Sequence, residues 1–510
     1  MTVRWGKCLN FRYCKDARDK QNIPIPMGAP FVCPECFGPL MDENTIVPRE
    51  APDARSKKSP HTLLAALAVL LLLAAVAVFA RWNMQHTANA ATTKTILRLA
   101  GSNTIGDTLG PSLAEAFLKD QGATNVRILP GANPLEKIVE GVLPGDSKAS
   151  SITIAAHGSA TAFTALAENS CDIGMASRKI KLDEASRLTS LGNMSSVTNE
   201  HILGLDGIAV IVNAANSANQ LDKNKIMRIF TGEISDWSQV GASKGAIKVY
   251  TRNDNSGTYD TFKTLVLGGK PLAAGTQRIE DSIALSDAVA GDPNGIGFIG
   301  LPFIHSSKAL AVSDKGTMAL LPTRLTVGTE DYLLSRRLYL YTPANPINKY
   351  TRQFIEFAIS SKGQEVVAAT GFVAQNVTQV AQTAPADAPP EYKSLTRDAN
   401  RLSLNFRFAP NQLELDNKAK VDMDRVVSLI ADLNIPEDKI MLFGFSDSTG
   451  DYDSNLVLSL SRAQVVERQL ILRGLKPSIV HGFGSNLAVA SNDSDEGQAR
   501  NRRVEVWIRR

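Results

Sequence analysis

The sequence predicts a multidomain α/β protein in which a single transmembrane helix separates a small N-terminal module from two larger domains. The chain has 510 residues, and at about 150 residues per domain this length leaves room for roughly three domains. An apolar stretch without charged residues occupies residues 63–80. From residue 93 onward, segments with strand periodicity alternate with segments of helical periodicity, and this alternation is typical of α/β domains.

The composition is that of globular protein, with 44% hydrophobic and 21% charged residues. The net charge of +4 is too small to indicate a nucleic-acid partner. Four of the five cysteines precede the apolar stretch and only Cys171 follows it. The later domains therefore must be stabilised by packing without disulfides, and we expect Cys171 to lie in a core as a small hydrophobe.

The apolar stretch is long enough to cross most of the hydrocarbon core of a bilayer, so we assign a transmembrane helix to residues 61–82. Positive charges are more numerous before it than after it: Arg49, Arg55, Lys57 and Lys58 against Arg81. This bias places the N-terminus in the cytoplasm and the later domains in the periplasm, as in a single-pass protein of a bacterial inner membrane. A secretory signal is the alternative, because Ala-Asn-Ala at residues 88–90 resembles a cleavage site.

Residues 1–42 contain two cysteine pairs, spaced C-x5-C and C-x2-C: Cys8, Cys14, Cys33 and Cys36. Four thiolates suit a tetrahedral Zn²⁺ site, and so short a segment needs metal binding to supply its folding free energy. We therefore predict a cytoplasmic zinc ribbon with structural Zn²⁺, joined to the membrane helix by a linker over residues 43–60. A tail with four independent reduced cysteines is the alternative.

The domain over residues 93–373 places polar residues of one chemical kind in the loops that follow its predicted parallel strands. A ligand of an α/β sheet binds at that edge. Hydroxyls, backbone N–H groups at helix starts and guanidinium groups suit an oxyanion, although serine and threonine before a helix are also ordinary N-caps. The candidates are Ser102, Thr104, Ser159, Thr161, Ser177, Arg178, Arg252, Ser256, Gly257 and Thr258.

Several motifs occur in the order found in one family: LGLDGIAVIVN, RIFTGEISDWSQVG, Arg-x3-Ser-Gly-Thr at residues 252–258, PNGIGFIGL and SRRLYLYTP. This domain resembles the PstS-like phosphate-binding components of ABC importers. The resemblance implies a two-lobed type II periplasmic-binding-protein fold that closes on a dehydrated tetrahedral anion, and an ABC importer as a partner. The contacts that it implies are Thr104, Ile105, Ser159, Ser177, Arg252, Ser256, Gly257 and Thr258; chemistry alone adds Ser102 and Arg178.

One position departs from the family pattern. Family members with the highest phosphate affinity have an aspartate where this chain has Ser177 and Arg178. A carboxylate distinguishes protonated phosphate from sulfate by accepting a hydrogen bond from the phosphate O–H, which sulfate lacks. We therefore expect weaker discrimination between these anions here, unless Asp107, Asp254 or Asp260 turns inward and replaces the missing acceptor.

Residues 374–395 are rich in Ala, Pro, Gln and Thr, so we expect an extended tether that lets the last domain remain undocked. Residues 396–510 then show the pattern of a small α/β sandwich, beginning with a strand whose apolar residues alternate: Leu402, Leu404, Phe406 and Phe408.

The segments FGFSDSTGDYDSNLVLSLSRAQVVERQL, GFGSN and ARNRRVEVWIRR resemble the OmpA-like peptidoglycan-binding domain. The resemblance implies that Asp447 and Arg462 hold the ammonium and carboxylate of diaminopimelate in wall peptide stems. Asn455, Arg502 and Arg503 match the same pattern, and we expect them mainly to hold the loop and fold. An internal salt bridge between Asp447 and Arg462 is the alternative.

The sequence does not indicate an enzyme. Its six histidines are scattered, and neither an H-E-x-x-H nor a P-loop pattern occurs. We expect a membrane-anchored periplasmic binding protein for phosphate or a related oxyanion, tethered to peptidoglycan and serving phosphate uptake or sensing. The zinc ribbon would contact a cytoplasmic protein. The alternative is an envelope scaffold whose two-lobed domain binds a protein or a wall component.

Overall fold

The computed structural model describes residues 3–8, 22–26, 32–34, 40–42, 93–254, 256–408 and 413–510. The chain divides into two compact units, Met1–Thr87 and Ala88–Arg510. The predicted transmembrane helix over residues 61–82 and the linker over residues 43–60 lie outside the described residues. Within the described ranges, no helix is long and apolar enough to cross a membrane.

The N-terminal unit contains a small antiparallel sheet with the strand order β2-β1-β3. Cys8 and Cys33 are both buried in its hydrophobic cluster, so two of the four predicted zinc ligands share one core. Cys14 and Cys36 lie outside the described residues, and the zinc prediction stays a prediction. The strands are β1 (Val3–Cys8), β2 (Asn22–Pro26) and β3 (Leu40–Asp42).

The second unit begins with strands and helices that alternate as predicted. The first part comprises β4 (Lys94–Gly101), α1 (Asn103–Gly106), α2 (Leu109–Asp120), β5 (Thr124–Pro130), β6 (Glu136–Val142), β7 (Ser150–Ala155), α3 (Ser159–Ala167), β8 (Ile173–Ala176) and α4 (Leu182–Arg187). The next part comprises β9 (Glu200–Val212), β10 (Gln220–Asp222), α5 (Lys223–Phe230), β11 (Lys248–Thr251), α6 (Gly257–Phe262), β12 (Gln277–Arg278), α7 (Ser282–Ala290), β13 (Gly295–Gly300), β14 (Lys308–Ala309), β15 (Ala311–Ser313), α8 (Arg324–Gly328), β16 (Ser335–Tyr341), α9 (Lys349–Ile359) and α10 (Ser361–Ala369).

One large mixed sheet runs through this domain in the order β12-β11-β13-β9-β16-β8-β4-β7-β6-β5. Strand β4 is parallel to β7 and β8, and β11 is parallel to β12 and β13. The first half of β9 pairs with β16, whereas its second half pairs with β13. Strand β9 therefore belongs to two halves of the domain. We define lobe 1 as residues 93–204 and 338–372, and lobe 2 as residues 205–337.

Each lobe has its own apolar core. In lobe 2 the rings of Phe262 and Phe298 stack with centroids 3.9 Å apart. In lobe 1 the ring of Phe117 meets that of Phe354 edge-on. Cys171 packs in a second lobe 1 cluster, where burial raises the pKa of its thiol to about 12. The predicted core position of Cys171 is confirmed, as is the mixed α/β architecture.

The C-terminal domain is a five-stranded sheet with the order β17-β18-β21-β19-β20. Alternate residues of its strand β18 point into an apolar core shared with two long helices, which confirms the predicted α/β sandwich. Its elements are β17 (Gln379–Ala381), α11 (Pro390–Thr396), β18 (Ala399–Arg407), α12 (Asn417–Asp432), β19 (Ile440–Gly444), α13 (Tyr452–Ile471), β20 (Ile479–Gly482), α14 (Asp495–Asn501) and β21 (Arg503–Arg509).

The predicted extended tether over residues 374–395 is wrong. Strand β17 lies inside this range and pairs antiparallel with β18, and α11 begins there. Tyr392 of α11 is buried against Phe443, Phe445 and Trp507. A single aromatic anchor and a strand pairing give little signal in local composition, which is why the segment resembled a linker.

The expectation that the last domain need not dock is also wrong, because it makes buried ionic contacts with lobe 2. The Nη2 atom of Arg401 lies 2.8 Å from Oδ2 of Asp331, and both side chains are almost fully buried. Arg407 pairs with Glu330, and Arg500 donates to the hydroxyl of Ser335. Such contacts depend on distant residues of the chain and leave no local pattern.

The C-terminal domain also contacts strand β16, which pairs with β9 between the lobes, and lobe 1. Asp416 pairs with Arg337 of β16 at 2.8 Å. The side-chain amide of Asn417 donates to the Glu200 carboxylate at 3.1 Å and to the Ser195 carbonyl at 2.9 Å. The C-terminal domain thus spans the junction of the two lobes.

Candidate functional site

The predicted anion-binding residues lie at the ends of strands, as expected. Ser102 follows β4, Ser159 begins α3 after β7, and Ser177 follows β8, all in lobe 1. From lobe 2, Arg252 follows β11 and Gly257 begins α6. The topology therefore brings the two sets to the facing edges of the lobes.

Three serines of lobe 1 surround Gly257 of lobe 2. The Ser159 hydroxyl lies 3.2 Å from the Ser177 hydroxyl and accepts from the Ser177 backbone N–H at 3.0 Å. A Cβ atom at Gly257 would collide with the Ser177 oxygen and would lie 3.7 Å from the Ser102 oxygen. The lobes are therefore in contact here, and a larger residue at this position would require the Ser177 hydroxyl to move. Within the described residues, the buried hydroxyl of Ser102 has no hydrogen-bond partner.

Arg252 is a buried cation without a salt bridge in the described part of the chain. It is 9% exposed, and it donates from Nη1 to the Ser282 hydroxyl. Its Nε has no hydrogen-bond partner among the described residues. Burial and the nearby Arg336 lower its pKa. A buried guanidinium without a direct ion-pair partner is costly, so this side chain is suited to an anionic ligand.

Arg336 and Asp206 were missed by the sequence analysis. Arg336 of β16 pairs with Asp206 of β9 at 2.7 Å and donates to the carbonyl of Gly257 at 2.8 Å. Its Nη2 has two hydrogens: one is directed at Asp206, and the other is shared between the hydroxyls of Thr104 and Thr258, which lie 3.2 and 3.0 Å away. A hydroxyl that accepts from arginine keeps its own proton for another partner. Both threonines are thereby left as donors toward a ligand.

A cavity of about 300 Å³ lies between the lobes. Three predicted contacts line it, namely Thr104, Arg252 and Thr258. Ser102, Ser159, Ser177, Ser256 and Gly257 are buried but do not line it. The Ser256 hydroxyl accepts from the Tyr259 N–H as the N-cap of α6, and the Ile105 side chain lies in the lobe 1 core. The remaining lining residues are Asn103, Gly106, Asp107, Pro134, Leu135, Lys137, Ala156, Glu280, Asp281, Ser282 and Phe303.

Arg178 occupies a different role from the one predicted. Its guanidinium makes a bidentate contact with Glu184, at 2.6 and 2.8 Å, and its Nε donates to Asp260 at 3.2 Å across the lobes. Its donors are committed to these carboxylates. Asp260 is likewise engaged, and Asp254 pairs with Arg278 at 2.7 Å. Of the three aspartates considered as replacement acceptors, Asp107 lines the cavity.

Asp447 and Arg462 lie together in the C-terminal domain but do not form the alternative salt bridge. The Asp447 carboxylate accepts from Arg502 at 3.2 Å and from the Thr449 N–H at 2.9 Å. Arg462 is 2% exposed, and its Nε has no partner among the described residues. Burial lowers its pKa to about 10. Both side chains are therefore buried.

The other three residues of the OmpA-like sequence pattern, Asn455, Arg502 and Arg503, stabilise the loop and the fold. Asn455 is buried on α13, and Arg503 pairs with Glu505 at 2.9 Å. Arg502 fixes the loop through Asp447. Arg462 thus remains the buried guanidinium of this region that lacks a carboxylate partner in the described structure.

Comparison with known proteins identifies two matched regions, one in the two-lobed domain and one in the C-terminal domain. Residues 87–362 match the model of the PBP superfamily domain, and residues 407–502 match the OmpA family. The phosphate-binding protein PstS of Staphylococcus saprophyticus is 29% identical over 238 residues, which are 45% of this chain and 73% of that protein. The PstS of Staphylococcus aureus strain USA300 is 28% identical over 238 residues, 45% of this chain and 71% of that protein.

Among solved structures, an ABC-type phosphate transport receptor from Vibrio cholerae is 22% identical, covers 54% of this chain and 99% of its own, and has a TM-score of 0.43. The curated relatives named above are binding proteins, and this chain too is a binding protein and not an enzyme. With more than half of its length matched by one family model, the chain belongs to the PBP superfamily.

Proposed function

We propose that the two-lobed domain binds phosphate or a closely related tetrahedral oxyanion. The observation that carries this proposal is Arg252, a buried guanidinium with an unpartnered Nε that lines the same cavity as the Thr104 and Thr258 hydroxyls. The names of the curated relatives, which are phosphate-binding proteins, support it.

The arrangement suits an anion held between the lobes. Arg252 supplies the charge, and a charge-assisted hydrogen bond to a phosphoryl oxygen is about twice as strong as a neutral one. Arg336 holds Thr104 and Thr258 as donors from opposite lobes. An anion between them is contacted by both lobes, so its binding favours the closed arrangement.

The test is calorimetric titration of the full chain with inorganic phosphate, compared with Arg252→Gln. Loss of a buried charged partner costs about 2–5 kcal/mol, so phosphate affinity is expected to fall at least thirtyfold. Arg228→Gln is the matched control, because Arg228 is an exposed lobe 2 arginine paired with Glu233. Equal phosphate affinity in Arg252→Gln and the parent chain would refute the site.

We propose that the C-terminal domain binds peptide stems of the cell wall. The OmpA-family match and the unpaired, buried Arg462 support this role. Arg462 would take the ligand carboxylate, and Asp447 would take an ammonium group.

Membrane attachment is part of the same proposal. Residues 61–82 would anchor the chain in a bacterial inner membrane, with the N-terminus in the cytoplasm and the binding domains in the periplasm, serving uptake or sensing of phosphate. The apolar stretch and the positive charges before it support this orientation. A reporter fused after Arg510 should be active only if it functions in the periplasm, and cytoplasmic activity would contradict it.

Structural zinc is proposed for the N-terminal unit. Burial of Cys8 and Cys33 in one small cluster fits a site completed by Cys14 and Cys36, and bound Zn²⁺ would supply folding free energy to this unit. Metal analysis of the purified full chain should give one zinc per chain. A metal-free chain with a folded N-terminal unit would exclude the site.

An envelope scaffold is the second candidate function, favoured by docking of the C-terminal domain across both lobes. The two-lobed domain would then bind a protein or wall component. Failure of every tetrahedral oxyanion to bind the purified chain would favour the scaffold.

A further inference from the structure

The cavity between the lobes is larger than an oxyanion requires, although the lobes are already in contact. Gly257 packs on the serines of lobe 1, and Arg178 reaches Asp260 across the lobes. About 300 Å³ nevertheless remains. This volume lies at the lower end of the roughly 300–1,000 Å³ typical of small-molecule pockets. Phosphate alone fills only a fraction of it.

The cavity wall carries negative as well as positive charge. Asp107 of lobe 1 and Glu280 and Asp281 of lobe 2 supply the negative charge, and Arg252 and Lys137 supply the positive charge. The Asp281 carboxylate is occupied as the N-cap of α7, where it accepts from the Ala284 N–H at 2.7 Å. For Asp107 and Glu280, no ion pair occurs within the described ranges of the chain. These two carboxylates are therefore available to a cation in the cavity.

The guanidinium of Arg252 marks the part of the cavity that suits the anionic group of a ligand. The Nε of Arg252 is buried without a partner, and the same side chain lines this cavity. Asp107, Asp281 and Glu280 lie close enough to Arg252 to act on its pKa. Donors for an anion and acceptors for a cation thus occur within one small cavity. Leu135 and Phe303 add apolar wall that suits a short carbon chain between the two charges.

We propose that this site takes a phosphomonoester whose organic part carries an ammonium group, an inference that rests on the proposed oxyanion-binding function. Arg252, Thr104 and Thr258 contact the phosphoryl oxygens. Asp107 and Glu280 contact the ammonium. Inorganic phosphate satisfies only the first set and leaves both carboxylates near an anion of the same sign.

The experiment compares three probes by calorimetry on the full chain: phosphoethanolamine, glycerol 3-phosphate and inorganic phosphate. The two esters share the phosphoryl group and differ in the ammonium. We expect phosphoethanolamine to bind at least about tenfold more tightly than glycerol 3-phosphate, as a charged hydrogen bond predicts. In the double variant Asp107→Asn/Glu280→Gln this preference should fall below about threefold, and inorganic phosphate should bind more tightly because repulsion is removed.

The matched control is Glu115→Gln/Glu233→Gln, which removes one surface carboxylate from each lobe away from the cavity and should keep the tenfold preference. Equal binding of the two esters by the parent chain overturns the ligand class, while phosphate binding that depends on Arg252 leaves the proposed function standing. A preference that persists in the Asp107/Glu280 variant overturns the assignment to these residues. If none of the three probes binds, both proposals fail.

Discussion

Arg336 and Asp206 form a buried ion pair between the two strands that join the lobes, with 2.7 Å between Nη2 and Oδ2. The side chains are 4% and 0% exposed. The same guanidinium contacts Thr104 of lobe 1 and Thr258 of lobe 2. Arg336 therefore fixes both the pairing of the two strands that join the lobes and the orientation of the Thr104 and Thr258 hydroxyls.

Replacing Arg336 with lysine should weaken anion binding while the charge is retained. A lysine ammonium cannot reproduce the planar fork that serves Asp206, Gly257 and both threonines at once. We expect phosphate affinity to fall about 10- to 100-fold in calorimetry, with a native circular dichroism spectrum. Arg228→Lys on the lobe 2 surface is the control. Unchanged affinity in a folded Arg336→Lys chain would show that the threonines do not need this partner.

The interface between the C-terminal domain and lobe 2 should depend on Arg401. Arg401→Met leaves Asp331 buried with fewer partners, and breaking a buried pair costs about 3–5 kcal/mol. We expect calorimetric unfolding to separate into two transitions at lower temperature. Lys315→Met removes an exposed pair with Asp493 at the same interface and should cost less than about 1 kcal/mol. A single unshifted transition in Arg401→Met would contradict this account of docking.

Acid should destabilise the second unit through His201. Burial lowers the pKa of His201 from 6.5 to about 4, so the folded protein resists its protonation. Because the unfolded chain takes up the proton first, the free energy of unfolding is highest above about pH 6.5 and decreases as the pH falls toward 4. Between pH 7 and 5 this loss is about 2 kcal/mol. Denaturant titrations should show a smaller loss for His201→Gln, and the same loss as the parent for His305→Gln at an exposed site. Equal pH dependence in all three chains would refute it.

Wall binding should require both Asp447 and Arg462. Asp447→Asn and Arg462→Met remove the charges proposed to hold an ammonium and a carboxylate, so sedimentation with purified peptidoglycan should be lost. The exposed controls Asp453→Asn and Arg468→Met lie on α13, the helix that carries Arg462, and should still sediment. Because Arg462 is buried, the thermal unfolding of each variant must be measured. Normal sedimentation by both folded site variants would reject the clamp.

Discrimination between phosphate and sulfate should be modest. The sequence analysis identified Ser177 and Arg178 at the position where the family pattern has an aspartate, and the donors of Arg178 are held by Glu184 and Asp260. Losing a charged acceptor is worth roughly 1.5–3 kcal/mol, so sulfate should compete within about two orders of magnitude. A preference above about a thousandfold would mean that a carboxylate reaches the anion. Asp107→Asn would then identify it.

The sequence best predicted those site residues whose position depends only on the order of the parallel strands. Ser102, Ser159 and Ser177 could be grouped in advance because each follows a strand of one parallel set, and such ends meet at one edge. Arg336 could not be placed, because its role depends on the register between β16 and β9. Opposite charges at Asp206 and Arg336 within two apolar strands were the available signal. Docking through Arg401 and Asp331 left no local pattern, since the partners are 70 residues apart.

The most direct measurement is equilibrium dialysis of the purified full chain against labelled inorganic phosphate. We expect saturable binding of one phosphate per chain, displaced by unlabelled phosphate and arsenate and lost in Arg252→Gln. Binding that does not saturate, or that is the same in the Arg252→Gln chain, would contradict an oxyanion site between the lobes.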